Sequence, residues 1–117
     1  MWINGKNYKS LNFTLMKEKL LDGSKTQTYR TNFIPTYECG EIIAIKFKKE
    51  FLFLAKVWNL YPKQIKNLDI EEAKRDGFLS IEDFQDKIME LNKIKSMNHW
   101  GFITIFEKIK NIIDYTQ

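Results

Sequence analysis

One cysteine (Cys39), one histidine (His99) and two prolines (Pro35 and Pro62) are all that this 117-residue sequence holds of those three residue types. A single cysteine closes no intramolecular disulfide, and with one histidine it assembles no ordinary Cys/His zinc site within one chain. Any Ser-His-Asp or Cys-His nucleophile system would need His99 every time. Two prolines punctuate a chain rather than build an interdomain linker, and neither repeats nor low-complexity segments occur. No apolar run approaches the ~20 residues that cross a bilayer. The start, Met1-Trp2-Ile3-Asn4-Gly5-Lys6, lacks the charged opening and continuous apolar stretch of a secretory signal. The chain therefore reads as one soluble, cytoplasmic domain over 1–117, with no membrane partner, no metal and no cofactor. If it is an enzyme, its chemistry is expected to fall on Lys, Thr, Ser, Asp or Glu.

What is present is apolar material and lysine. At 44% hydrophobic and 15% aromatic, a chain this long buries about two-thirds of the surface its unfolded form exposes. The net charge of +4 is unevenly spread. Residues 1–66 hold twelve bases and five acids, a net of +7, whereas residues 67–98 hold five bases and eight acids, a net of −3. A basic N-terminal portion suits a phosphate-bearing partner, although lysines also simply solvate surfaces.

Residues 1–9 are polar and read as an irregular lead-in. Leu11 and Phe13 suggest a short strand. A helix opening near Thr14 is stopped by Gly23, and Lys25–Arg30 suits a strand. After a loop over 31–40, Ile42–Phe47 and Phe51–Leu60 form a hairpin pattern joined by three to four residues. Asp69 with Glu72, and Ser80 with Asp83, open two helices as capping-box patterns. Ile81, Phe84, Ile88 and Leu91 share one face of the second. Trp100–Phe106 is apolar on both faces, as in a central buried strand. This order predicts an α+β fold: a small, curved sheet or barrel of mixed strands covered by helices.

Two local patterns fail on inspection. Asp76-Gly77-Phe78 through Phe84 resembles the back half of an EF-hand loop, but the register puts Lys74 where calcium needs an oxygen. Gly23-Ser24-Lys25-Thr26 lacks the first glycine of a P-loop, Glu18 standing there, and Ser24 intervenes before the lysine. What remains is Lys25, Thr26, Thr28 and Arg30 within six residues after a helix-ending glycine. Alternation puts Thr26, Thr28 and Arg30 on one face, and the glycine turn can redirect Lys25 to join Thr28. A lysine beside a threonine hydroxyl activates an oxygen nucleophile if the amine loses its proton; burial or Arg30 would push it that way. The same spacing also describes an exposed edge strand with a solvated lysine and arginine. His99-Trp100 suits either base stacking or a structural strand start, and Cys39 reads as inert.

Gly23-Ser24-Lys25-Thr26-Gln27-Thr28-Tyr29-Arg30 resembles the Gly-x-Lys-x-x-x-x-Arg signature of ASCH domains. Further landmarks follow in that family's order: Gly40-Glu41, Ala55-Lys56-Val57, the acidic two-helix segment from Ala73 to Phe84, and Gly101–Phe106. The likeness spans about 11–106, leaving 1–10 and 107–117 as extensions. It implies a PUA-like small mixed β-barrel of about five to six strands with two to three covering helices. It also implies a nucleoside or RNA partner. One bacterial branch of the family removes the acetyl group from N4-acetylcytidine, using the Lys and second Thr of the motif with a Glu of the helical insertion. The matching residues are Lys25, Thr28 and Asp76, the last one methylene shorter than the usual Glu. Gly23, Ser24, Thr26 and Arg30 are implied to bind substrate. A non-catalytic RNA-binding module is the alternative, and a metal-independent ribonuclease a third.

Overall fold

Residues 1–109 are described by this computed structural model, and among them the chain forms seven strands, three α-helices and one 3-10 turn. The lead-in is itself a hairpin: β1 (Trp2–Ile3) pairs antiparallel with β2 (Lys6–Asn7). Asn4 and Gly5 both take positive φ, 50° and 79°. Asn-Gly is the pair that fits a two-residue hairpin turn matched to strand twist, so the polar composition of 1–9 concealed a regular element. The extension expected over 107–117 is described only as far as Ile109; residues 110–117 lie outside the described residues.

Five further strands make one mixed sheet curled into a half-barrel. They are β3 (Ser10–Phe13), β4 (Gln27–Thr31), β5 (Ile42–Phe47), β6 (Glu50–Gln64) and β7 (Trp100–Lys108). Their order is β3-β5-β6-β7-β4, with β3 parallel to β5 and the remaining neighbours antiparallel. β3 and β4 are thus the two edges. The turn from β5 to β6 is only Lys48-Lys49, two residues rather than the three to four expected, since Phe47 pairs with Glu50. Both lysines sit at positive φ, 47° and 72°. Their main-chain N–H groups are held by β3, Lys48 donating to the Phe13 carbonyl at 2.8 Å and Lys49 to Asn12 Oδ1 at 2.6 Å. β6 runs on through Pro62, where a strand end was expected. Beyond Lys56 it pairs with β7 alone, so the missing proline N–H faces no partner strand.

The helices are α1 (Lys17–Asp22), α2 (Ile70–Arg75) and α3 (Ile81–Asn92). α1 starts later than Thr14, behind a left-handed Met16, and ends at left-handed Gly23 as expected. Asp69 and Glu72 make both reciprocal bonds of a capping box on α2, and Ser80 caps α3 through Asp83 N–H. Two apolar cores explain the two-faced β7. Phe106 packs with Leu11, Phe13, Leu20, Ile45 and Phe53 on one side. Ile103 packs with Tyr29, Ile65, Phe84 and Ile88 under α2 and α3 on the other. On α3, Phe84 and Ile88 are buried while Leu91 is exposed, at the rim of a cavity between the helix and the sheet. Each fully buried side chain of this kind stabilises the fold by about 1.5–3 kcal/mol.

No helix among the described residues is long and apolar enough to cross a membrane.

Candidate active site

The half-barrel does not close, and the gap between its edge strands holds a cavity of about 390 Å³. β3 contributes Asn12 and Phe13 to its wall, β4 contributes Thr28 through Thr31, and Lys25, Asp76, Phe33 and the α3 residues Phe84 and Ile88 complete it. Arg30 ties the two edges together, one terminal nitrogen donating to the Asn12 carbonyl at 2.7 Å.

Lys25 precedes β4, which begins at Gln27 rather than at Lys25 as the alternation suggested. Its segment is bound on both sides: Lys25 N–H donates to the Lys19 carbonyl at the end of α1, and Thr26 N–H to the Arg75 carbonyl at the end of α2. This directs the amine inward, to 6% exposure. There Lys25 Nζ donates to Asp76 Oδ1 and, at 2.9 Å, to the Asp76 carbonyl. The exposed-edge alternative is half right: β4 is an edge strand, but its face is buried.

Asp76 caps the C-terminus of α2 and is only 5% exposed. The next residue, Gly77, has φ +93°, and a Cβ there would lie 2.7 Å from the Met16 sulfur. Lys19 Nζ donates to the Gly77 carbonyl at 2.5 Å. The α2 end is thereby held against α1, which brings Asp76 to Lys25. Gln27, fully buried, donates to Asp76 Oδ2 and to the Glu72 carbonyl, both at 3.0 Å. Its own oxygen accepts from Arg75 Nε at 3.1 Å, which fixes the amide orientation. Burial pushes the Asp76 carboxyl above its ordinary value, opposed by Lys25, the Gln27 amide and Arg30.

Thr28 is 5% exposed, and its hydroxyl oxygen accepts from Arg30 Nε at 3.2 Å. The Arg30 guanidinium lies 5.2 Å from the Phe13 ring centre and 5.9 Å from that of Phe33. Burial lowers its pKa, opposed by Tyr37 and Asp76, yet a guanidinium stays charged. Lys25, Thr28, Arg30 and Asp76 therefore meet in one cavity. Gly23 and Thr26 line a separate groove with Phe53 and Trp58, on the far side of Lys25. Ser24 is exposed, its N–H donating to Asp22 Oδ1 at 2.8 Å in the turn after α1.

Sequence reasoning passed over Gln27, Asn12 and Phe13, which meet at the cavity through the sheet's tertiary arrangement, and Phe33, which reaches it through the turn at Asn32. The preference of a cation for an aromatic face is the one signal that would have linked Arg30 to Phe33. His99 lies outside the cavity, its ring 3.3 Å from Asn32 Oδ1, beside an exposed Trp100. Cys39 is exposed and free. Among the described residues, no three His, Cys, Asp or Glu side chains gather as a metal site would require.

A mixed sheet open between two edge strands, with a charged cavity in the opening and helices over it, is a PUA-like half-barrel in fold. Its fold is similar to that of solved ASCH domains. An ASCH domain from Lactobacillus crispatus JV V101 superposes with a TM-score of 0.61 at 8% identity, covering 86% of this chain and 79% of that one. ASCH from Zymomonas mobilis gives 0.58 at 18% identity, covering 85% and 67%. Protein EF3133 from Enterococcus faecalis V583 gives 0.64 at 10% identity, covering 79% and 68%. No family model matches the sequence, and no curated protein is similar to it.

Proposed function

We propose that this protein is an amide hydrolase that removes the acetyl group from N4-acetylcytidine or a similar N-acylated nucleoside. The observation that carries this reading is the buried Lys25–Asp76 pair in the same cavity wall as the Thr28 hydroxyl. A buried ion pair whose carboxyl is pushed upward has access to a neutral form, with the proton moved from Lys25 to Asp76. In that form the amine accepts the Thr28 proton while Thr28 Oγ1 bonds to the acyl carbonyl carbon. The Arg30 N–H directed at Oγ1 holds that oxygen in place and favours its loss of the proton to Lys25. The carbon–nitrogen bond then breaks, and Asp76 gives its proton to the departing exocyclic nitrogen. Water opens the acyl-enzyme by the reverse sequence: Asp76 takes its proton, the hydroxyl bonds to the acyl carbon, and Thr28 recovers a proton from Lys25. No step asks anything of His99 or Cys39.

Incubation with N4-acetylcytidine, followed by chromatography for cytidine, tests the reading. Turnover is expected for the native chain and a loss of at least about a thousandfold in Lys25→Ala and Thr28→Ala. Absence of turnover, or turnover indifferent to both substitutions, would overturn it. Without turnover, RNA affinity that falls steeply with salt would favour a binding module instead, a reading supported by the net +7 of residues 1–66.

A further inference from the structure

Thr31 is 9% exposed and lines the same cavity, yet its hydroxyl is a buried side-chain polar atom with no hydrogen-bond partner among the described residues. An unpartnered buried hydroxyl costs about 1–3 kcal/mol relative to a satisfied one, so this one is a candidate for a group that arrives with a ligand. The main chain beside it is in a similar state. In an antiparallel ladder, hydrogen-bonded and non-bonded pairs alternate. Phe106 N–H donates to the Thr26 carbonyl at 2.9 Å, which puts Thr26, Thr28 and Arg30 in the bonded positions against β7. The N–H and C=O groups of Tyr29 and Thr31 accordingly point away from β7, toward the open sheet edge. The chain turns immediately afterwards at left-handed Asn32, φ 52°, and brings the Phe33 ring back over Arg30.

We propose that Thr31 is a specificity-determining residue: its hydroxyl and the outward main-chain groups of Tyr29 and Thr31 read the amide-like polar edge of a pyrimidine base. An edge strand offers carbonyl and N–H groups in sequence, and the polar edge of a cytosine-type ring offers the matching donor, its exocyclic N–H, and two acceptors, N3 and O2. On the other face of the same edge, Phe33 and the Arg30 plane supply a flat apolar and cationic surface. This assignment rests on the nucleoside reading above but not on the hydrolytic step, because it concerns how the base is held rather than how its acyl group leaves.

The test uses cytidine, which carries no acyl group to cleave, and compares the native chain with Thr31→Val and Thr31→Ser by calorimetric binding and thermal melting. Thr31→Val keeps the shape and removes the stranded hydroxyl. Its ligand-free Tm is expected to rise while its affinity for cytidine falls about tenfold, one hydrogen bond lost to a ligand. Thr31→Ser is expected to bind within about threefold of the native chain. In turnover of N4-acetylcytidine, Thr31→Val should raise KM with kcat nearly unchanged. Native-strength binding by Thr31→Val, or no cytidine binding by the native chain, would overturn the assignment. Cytidine binding that depends on Thr31, with no hydrolysis of N4-acetylcytidine, would overturn the hydrolase reading and leave this one standing.

Discussion

Two carboxylates one helical turn apart on α2, Glu72 and Asp76, are both buried and both paired with a lysine, but they are not equivalent. Glu72 is saturated. Its Oε1 accepts from Lys63 Nζ at 2.7 Å and from Asp69 N–H at 2.8 Å, and its Oε2 accepts from the Tyr61 hydroxyl at 2.7 Å. Asp76 takes a side-chain donor on each oxygen, Lys25 and Gln27, and lines the cavity. The first arrangement serves the fold: it starts α2 and ties it to β6. The second lies in the wall of the cavity that Thr28 also lines, and under the proposed function it is the pair that moves the proton. Burial and a lysine partner are common to both carboxylates; a place in the cavity wall is what sets Asp76 apart.

Removing each carboxylate breaks the comparison most sharply. Asp76→Ala is expected to lower kcat/KM by at least about a thousandfold. Glu72→Ala is expected to cost about 1–3 kcal/mol of stability, measured by denaturant unfolding, because it leaves the Tyr61 hydroxyl and the Asp69 N–H at the helix start without their acceptor. Its folded fraction should turn over near the native rate. Equal activity losses in both variants would show that the two sites are one network.

The next test replaces the Lys25–Asp76 pair by apolar side chains. Lys25→Met combined with Asp76→Leu is expected to abolish turnover, with stability unchanged or raised by about 1–4 kcal/mol. A large loss of stability would mean that the pair is retained for the fold.

The smallest effect concerns pH. Gln27 donates to Asp76 Oδ2 and so favours the carboxylate. A second proton entering the Lys25–Asp76 pair blocks the base, so kcat/KM should fall on the acid side at a pH above the ordinary aspartate value. Gln27→Met removes a donor to the charged form, which raises the carboxyl further and moves the acid limb to higher pH. An unmoved limb in that variant would mean that Asp76 does not govern it.

Local signals carried the reading where they were strong. The capping residues Asp69 and Ser80, the Gly23 stop and the two-faced run at Trp100–Phe106 all reflect interactions within a few residues. Asn4-Gly5 was equally local, but its strands are two residues each and carry no alternation to read. Pro62 and the Lys48-Lys49 turn depend on which strand lies alongside and on hydrogen bonds from β3, which only the tertiary pairing reveals. The site divides in the same way. Lys25, Thr28 and Arg30 were legible as a cluster because they share one short segment. Asp76 was reached through a family likeness, while Asn12, Phe13 and Gln27 join the site because the sheet curls and α2 docks across it.

The central claim is that Thr28, activated by the Lys25–Asp76 pair, becomes the acyl carrier. The most direct measurement is an acid-quenched reaction with N4-acetylcytidine, followed by peptide mass spectrometry. The expected result is an acetyl group on Thr28 in the native chain and none in Lys25→Ala. Release of cytidine by a Thr28→Ala chain at the native rate would contradict it.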